Sequence, residues 1–124
     1  MLDTTPLTAA VDRFADRLRA APQSRLQRGA AAEGLALARE LSVRAQRIEE
    51  PEAQPRIMPD AGAFAVADQL AVAGHDLAGA LEMVAAPEMA GARQRGTAPS
   101  VEAVEAELDE AVKLVKAAAA RAGV

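Results

Sequence analysis

The chain has no cysteine, no tryptophan and no tyrosine, and its 124 residues include two phenylalanines, Phe14 and Phe64, and one histidine, His75. Without cysteine there are no disulfides, no thiolate metal sites and no cysteine nucleophile. The aromatic and β-branched runs that build strands are missing as well. The opening "MLDTTPLTAA" carries neither the basic nor the apolar region of a signal peptide, and no run reaches the ~18 uninterrupted apolar residues of a membrane span. The cytoplasm is therefore the expected location, with no membrane as partner. A net charge of −4 lacks the basic excess that neutralises phosphates, so no nucleic acid is expected either. No Gly-x-x-x-x-Gly-Lys-Ser/Thr or Gly-x-Gly-x-x-Gly run is present to cradle a phosphate group.

What the chain has is alanine, about a quarter of its residues, and twelve arginines among its fourteen basic residues. Alanine with Leu, Glu and Arg favours helix, because alanine loses no side-chain entropy on ordering. Prolines divide the chain into four helical segments, about 6–21, 24–49, 60–86 and 100–122, with linkers at 50–59 and 87–99. Thr5 before Pro6 reads as the first cap, and Val11, Phe14, Leu18 and Ala21 recur at helical spacing. Ser24 and Gln27 have the spacing of a capping box. Leu26, Ala30, Leu37, Leu41, Ala45 and Ile48 follow as a buried stripe. The break at Pro22 makes these two segments an antiparallel hairpin or one kinked helix.

"EEPEAQPRIMP" cannot continue a helix; its Ile57 and Met58 are expected to cover one end of the molecule, and Asp60 to cap the third helix. "PEMAGARQRGTAP" reads as a mobile loop whose arginines, Arg93 and Arg95, have no assigned role. In the last segment, Val101, Val104, Leu108, Ala111, Val115, Ala118 and Ala122 keep a 3-4 spacing, the seam of left-handed packing. Its acids come first and its bases last, which complements the helix dipole. The expected architecture is all-α: a single domain spanning 1–124, an up-down four-helix bundle with an alanine-rich core.

The third segment places Ala63, Val66, Leu70, Ala73, Leu77, Ala80 and Val84 on its seam. Asp68, His75 and Glu82 then fall on the opposite side, so the lone imidazole is expected in solvent. Ala67, Ala71, Gly74, Ala78 and Leu81 widen the apolar arc beyond one neighbouring face. That arc fits a central helix touching two neighbours of its own chain, or a strip packing on a second chain. The five residues are accordingly the interface candidates. A core this poor in large side chains is thin at ~25 cal/mol per Å², which favours a homodimer.

No metal site is expected, because the di-iron pattern needs inward Glu-x-x-His pairs. Asp76 beside His75 is no catalytic pair, since adjacent helical residues diverge by about 100°. Ser24, Ser42 and Ser100 have no nucleophile context. A ligand-binding bundle stays open, although no convergent polar groups mark a pocket. "HDLAGA", His75 to Ala80, resembles the H-x-L-K-G-S/A core of histidine phosphotransfer (HPt) domains, small four-helix bundles of signalling relays. The resemblance implies His75 as phospho-acceptor, Leu77 as the buried leucine, and Gly79 as the small residue that gives a receiver domain access. The family's lysine is Ala78 here, and Asp68, Asp76 and Glu82 add negative charge that opposes a phosphoryl group. The expected function is non-enzymatic, needing no cofactor, and exercised by protein–protein contact. Phosphotransfer through His75 is the alternative.

Overall fold

Proline and glycine set where the helices start and stop. The computed structural model describes residues 1–124, and its regular structure is helical throughout, with no strand. Helix α1 (Thr5–Ala20) leads through α2 (Gln23–Arg25) and a widened π turn (Leu26–Ala30) into α3 (Ala31–Glu49). After a long connection come α4 (Val66–Ala85), α5 (Ala90–Gln94) and α6 (Val101–Ala122). No helix is long and apolar enough to cross a membrane.

Local chemistry corrects several sequence expectations. Thr5 does not cap α1. The cap position is Thr4, whose buried hydroxyl instead donates to Glu82 on α4. Asp3 takes the Thr5 N–H at 3.0 Å, and hydrogen bonds from the Thr5 hydroxyl and N–H hold the Asp3 carboxyl below its ordinary value. The Ser24–Gln27 box does not form, because Pro22 precedes the first helical residue and Ser24 lies inside the turn. Gly29, at φ +142°, then kinks the segment, a conformation open to glycine because it has no Cβ. Asp60 accepts the Gly62 N–H at 2.8 Å in a turn, and α4 begins only at Val66.

The loop after Pro87 is not structureless. It carries α5, and Arg93 reaches back to accepting carbonyls of Val84 (2.9 Å) and Ala86 (3.3 Å). Those carbonyls lie at the end of α4, where a cation is favoured. Ser100 caps α6, accepting the Ala103 N–H at 3.1 Å, and Gly123 closes it in the left-handed conformation.

The four long helices share one cluster of 26 buried residues, eleven of them alanine. Phe14, Leu7, Leu41, Leu70, Leu77 and Leu81 are its largest fully buried side chains. The helix directions differ from the expected up-down order. Gly34 near the start of α3 lies against both Leu18 at the end of α1 and Val66 at the start of α4. Thr4 meets Glu82, and Arg19 meets Asp68 at 2.9 Å, so α1 and α4 are antiparallel. Arg44 of α3 reaches Glu107 and Glu110 of α6, while Glu33 reaches Arg121, so α3 and α6 are antiparallel too. Helices α3 and α4 therefore run parallel, and the order is up-down-down-up.

A parallel neighbour requires the chain to return to its starting end, and the proline-rich linker does this. Instead of covering one end, it runs back along α3. Gln46 clasps Arg56 by two hydrogen bonds, 2.8 and 2.9 Å, and Arg39 donates to the Met58 carbonyl at 2.8 Å. Gln69 of α4 then donates to Pro59 at 3.0 Å. Met58 packs against the core, while Ile57 is 65% exposed.

Glu40 and Arg44, one turn apart on α3, pair at 2.6 Å. The same guanidinium, only 18% exposed, also holds Glu107 at 2.9 Å and Glu110 at 3.3 Å. Burial pulls the Arg44 guanidinium down, but its hydrogen bonds to Glu40 and Glu107 outweigh it and leave the group above its ordinary value. This cluster ties α3 to α6.

Candidate functional site

The middle of α4 presents its third and fourth turns to a groove shared with α3 and roofed at one side by the returning linker. The groove encloses about 610 Å³. Gly79 and Ala80 on α4 and Ala45 on α3 form its floor, while Ile57 and Met83 stand at its rim. Ser42, Gln46, Glu49, Arg56, His75 and Asp76 supply the polar groups around it. Gly79 leaves a real gap, because a Cβ built there would meet nothing within 4 Å.

His75 is where the sequence places it, on the outside of α4, with its side chain 52% exposed. It is not free, however. Nε2 lies 2.9 Å from Oδ1 of Asp12 on α1. A carboxylate can only accept, so Nε2 carries the proton of this bond, and Nδ1 makes no hydrogen bond within the chain. The Asp12 partner belongs to another helix 63 residues away, and no local spacing could reveal it. No three His, Cys, Asp or Glu side chains come together as a potential metal cluster.

The interface candidates fare differently. Ala67, Gly74, Ala78 and Leu81 are buried inside the chain's own core, and Ala71 is half-buried. The wide apolar arc of α4 is consumed by α1 on one side and α3 on the other, so it is no free strip for a second chain. Gly74 in particular faces Val11, whose γ-carbons would lie 2.6 Å from an added Cβ.

The exposed apolar side chains lie elsewhere. Val72 (59% exposed) and Met83 (68%) project from the outer side of α4, and Ile57 and Phe64 (82%) flank it. Val72, Asp76, Gly79 and Met83 follow one another at helical spacing, a ridge displaced from the His75 line. The readable signal was two large apolar residues at non-seam positions of α4. Their significance depended on which neighbours cover that helix, and helix periodicity alone does not give that. No family model, curated protein or solved structure matches the chain.

Proposed function

We propose that the protein is a non-enzymatic cytoplasmic four-helix bundle with one crossover, acting by protein–protein contact as a homodimer that offers the groove beside His75 to a further protein. The observation that carries this reading is the groove itself. Its rim side chains Ile57 and Met83 are held largely in solvent around a glycine floor. Large apolar side chains kept in water lose their hydrophobic contribution unless something covers them, and such rims are characteristic of contact surfaces. An inserted apolar side chain over Gly79 would be clasped between Ile57 and Met83. Glu49 and Asp76, which make no ion pair in the chain, favour a cation beside it.

The test is a photocrosslinking residue placed at Met83 in the producing cells, alone and with Gly79→Arg filling the gap. The expected result is one discrete protein adduct that Gly79→Arg abolishes. Identical adduct patterns with and without the arginine would refute the groove as the contact.

A second reading is favoured by one specific observation. His75 stands half-exposed in mid-helix with Gly79 open one turn onward, which is the access that phosphotransfer requires. Asp12 would fix the tautomer and leave Nδ1 as the nucleophile: an Nδ1–P bond would form as the P–N bond of phosphoramidate breaks and ammonia leaves, and the Nε2 proton would pass to Asp12 or water. Incubation with phosphoramidate, which releases ammonia, followed by ³¹P NMR decides it. A phosphohistidine resonance present in native protein and missing in His75→Ala supports the relay; its absence from the native protein removes it.

A further inference from the structure

The face formed by α1 and α6 is charged oppositely at its two ends, and each end contains an apolar-floored groove. Because α1 and α6 are both antiparallel to other shared neighbours, they run parallel. The beginnings of both helices therefore share one end of the face. At that end a groove of about 400 Å³ combines Asp3, Glu105 and Asp109 with Leu2, Val101 and Leu108. At the opposite end a groove of about 410 Å³ combines Arg13, Arg17 and Lys116 with Phe14 and Val115. Neither groove contains a side chain of the other sign.

The charges are also unspent. Glu105 and Asp109 make no ion pair, and neither do Arg13, Arg17, Lys113 or Lys116. On α6, Glu102, Glu105, Asp109, Lys113, Lys116 and Ala120 are all exposed and follow at intervals of three and four residues, so they form a single outward stripe. The stripe changes sign between Asp109 and Lys113, close to its midpoint.

We infer that this α1–α6 face is the self-association surface, occupied by the same face of a second copy turned antiparallel about a twofold axis near Ala111. The inference rests on the homodimer reading and names where the dimer forms. A twofold contact must be self-complementary, and a stripe that is acidic in one half and basic in the other meets that condition only when reversed. Asp109 then stands opposite Lys113 of the other copy, and Glu105 beside Lys116. Parallel stacking would oppose like charges instead and is disfavoured. The same reversal lays Met1 and Val101, both exposed at the acidic end, over Ala119 and Ala120 in the groove at the basic end. Helix α6 is about 33 Å long and two helices are roughly 20 Å wide. A face of roughly 700 Å² follows, close to the ~800 Å² per partner of a standard interface.

Two charge-reversed proteins test it, each measured by sedimentation equilibrium with circular dichroism to verify folding. One is Lys113→Glu with Lys116→Glu; the other is Glu105→Lys with Asp109→Lys. The native protein is expected to dimerise, each variant alone to associate roughly 100-fold more weakly or worse, and their equimolar mixture to recover a heterodimer. In the native protein, raising salt to about 1 M shortens the screening length to ~3 Å and is expected to weaken the dimer without any substitution. A native dimer that survives both reversals and high salt overturns this face and leaves the homodimer reading intact. A native protein that stays monomeric at several hundred micromolar overturns both.

Discussion

Gly74→Ala tests a close approach between two helices, that of α1 and α4. In an open helix interior this change stabilises by about 1 kcal/mol, because glycine loses more backbone entropy than alanine. Here the new Cβ would stand 2.6 Å from both γ-carbons of Val11 and 3.0 Å from its Cβ. Val11 is fully buried and β-branched, so no rotamer removes both methyl groups from the contact. The helices must separate, and overpacking of this kind costs about 1–3 kcal/mol. With two methyls and the branching carbon all too close, the upper end applies, leaving a net loss of about 2 kcal/mol. For this chain length the melting temperature should fall by about 8 °C.

Removing the obstruction reverses the sign. Val11→Ala alone should cost about 2–3 kcal/mol for the lost burial. Adding Gly74→Ala to it should then recover about 1 kcal/mol, a coupling of roughly 3 kcal/mol in a double-mutant cycle. Thermal and urea unfolding of the four proteins measure this directly. A Gly74→Ala protein as stable as the native one, or additive changes in the cycle, would refute the close approach of α1 and α4.

The control is Gly79→Ala, whose Cβ meets nothing within 4 Å; it should raise stability by about 1 kcal/mol, read as a higher urea midpoint. Gly29→Ala should do the opposite, losing about 1–3 kcal/mol because its φ of +142° is strained for any residue with a Cβ. Arg44→Lys should cost about 1–2 kcal/mol, since one ammonium cannot replace a guanidinium that holds three carboxylates; an unchanged denaturation curve would show the cluster to be idle. The Asp3 carboxyl is held below its ordinary value, so its contribution is complete above ~3.9 and disappears as pH falls through the lowered value. Asp3→Asn should therefore reduce the dependence of stability on pH in that acid range while leaving neutral behaviour less affected.

The periodicity of apolar residues reports each helix's inner face well. Val11, Phe14, Leu18, Leu37, Leu41, Leu70, Leu77, Val104, Leu108 and Val115 are buried where the spacing puts them. Caps were less legible, because a Ser or Thr can satisfy a distant group instead of its own helix end. Thr4 donates its hydroxyl to Glu82 on the neighbouring helix α4. Arg93, unassigned from sequence, earns its place by reaching carbonyls seven and nine residues back. The helical spacing puts His75 on the outside, where it lies, but its Asp12 partner depends on how α1 crosses α4. That crossing depends in turn on Gly74, whose role is invisible until the opposing Val11 is known.

The direction of α4 was the one global feature that the pattern of residues left undetermined, although the chain length bears on it. Alternation of helices and short turns implies that each helix reverses its predecessor, and two of the three connections between long helices, α1 to α3 and α4 to α6, do reverse the chain. The connection from α3 to α4 is different: between Glu49 and Val66 the chain holds Glu50 to Ala65. In extended form that many residues can span about 50 Å, whereas α3 measures only about 28 Å. The linker can thus return the whole length of α3, and its prolines keep it extended rather than helical on the way. Its hydrogen bonds to Gln46, then Arg39, then Gln69 trace that return in order. Had α4 reversed α3 directly, Ile57 could not stand beside Met83, and the groove next to His75 would lose one of its walls. The reading of that groove as a contact surface therefore stands on the crossover. Shortening the linker by deleting Glu52 to Gln54 should leave about 40 Å of reach, still sufficient, so the groove should survive with crosslinking at Met83 unchanged. Deleting enough residues to bring the span below the length of α3 should abolish it.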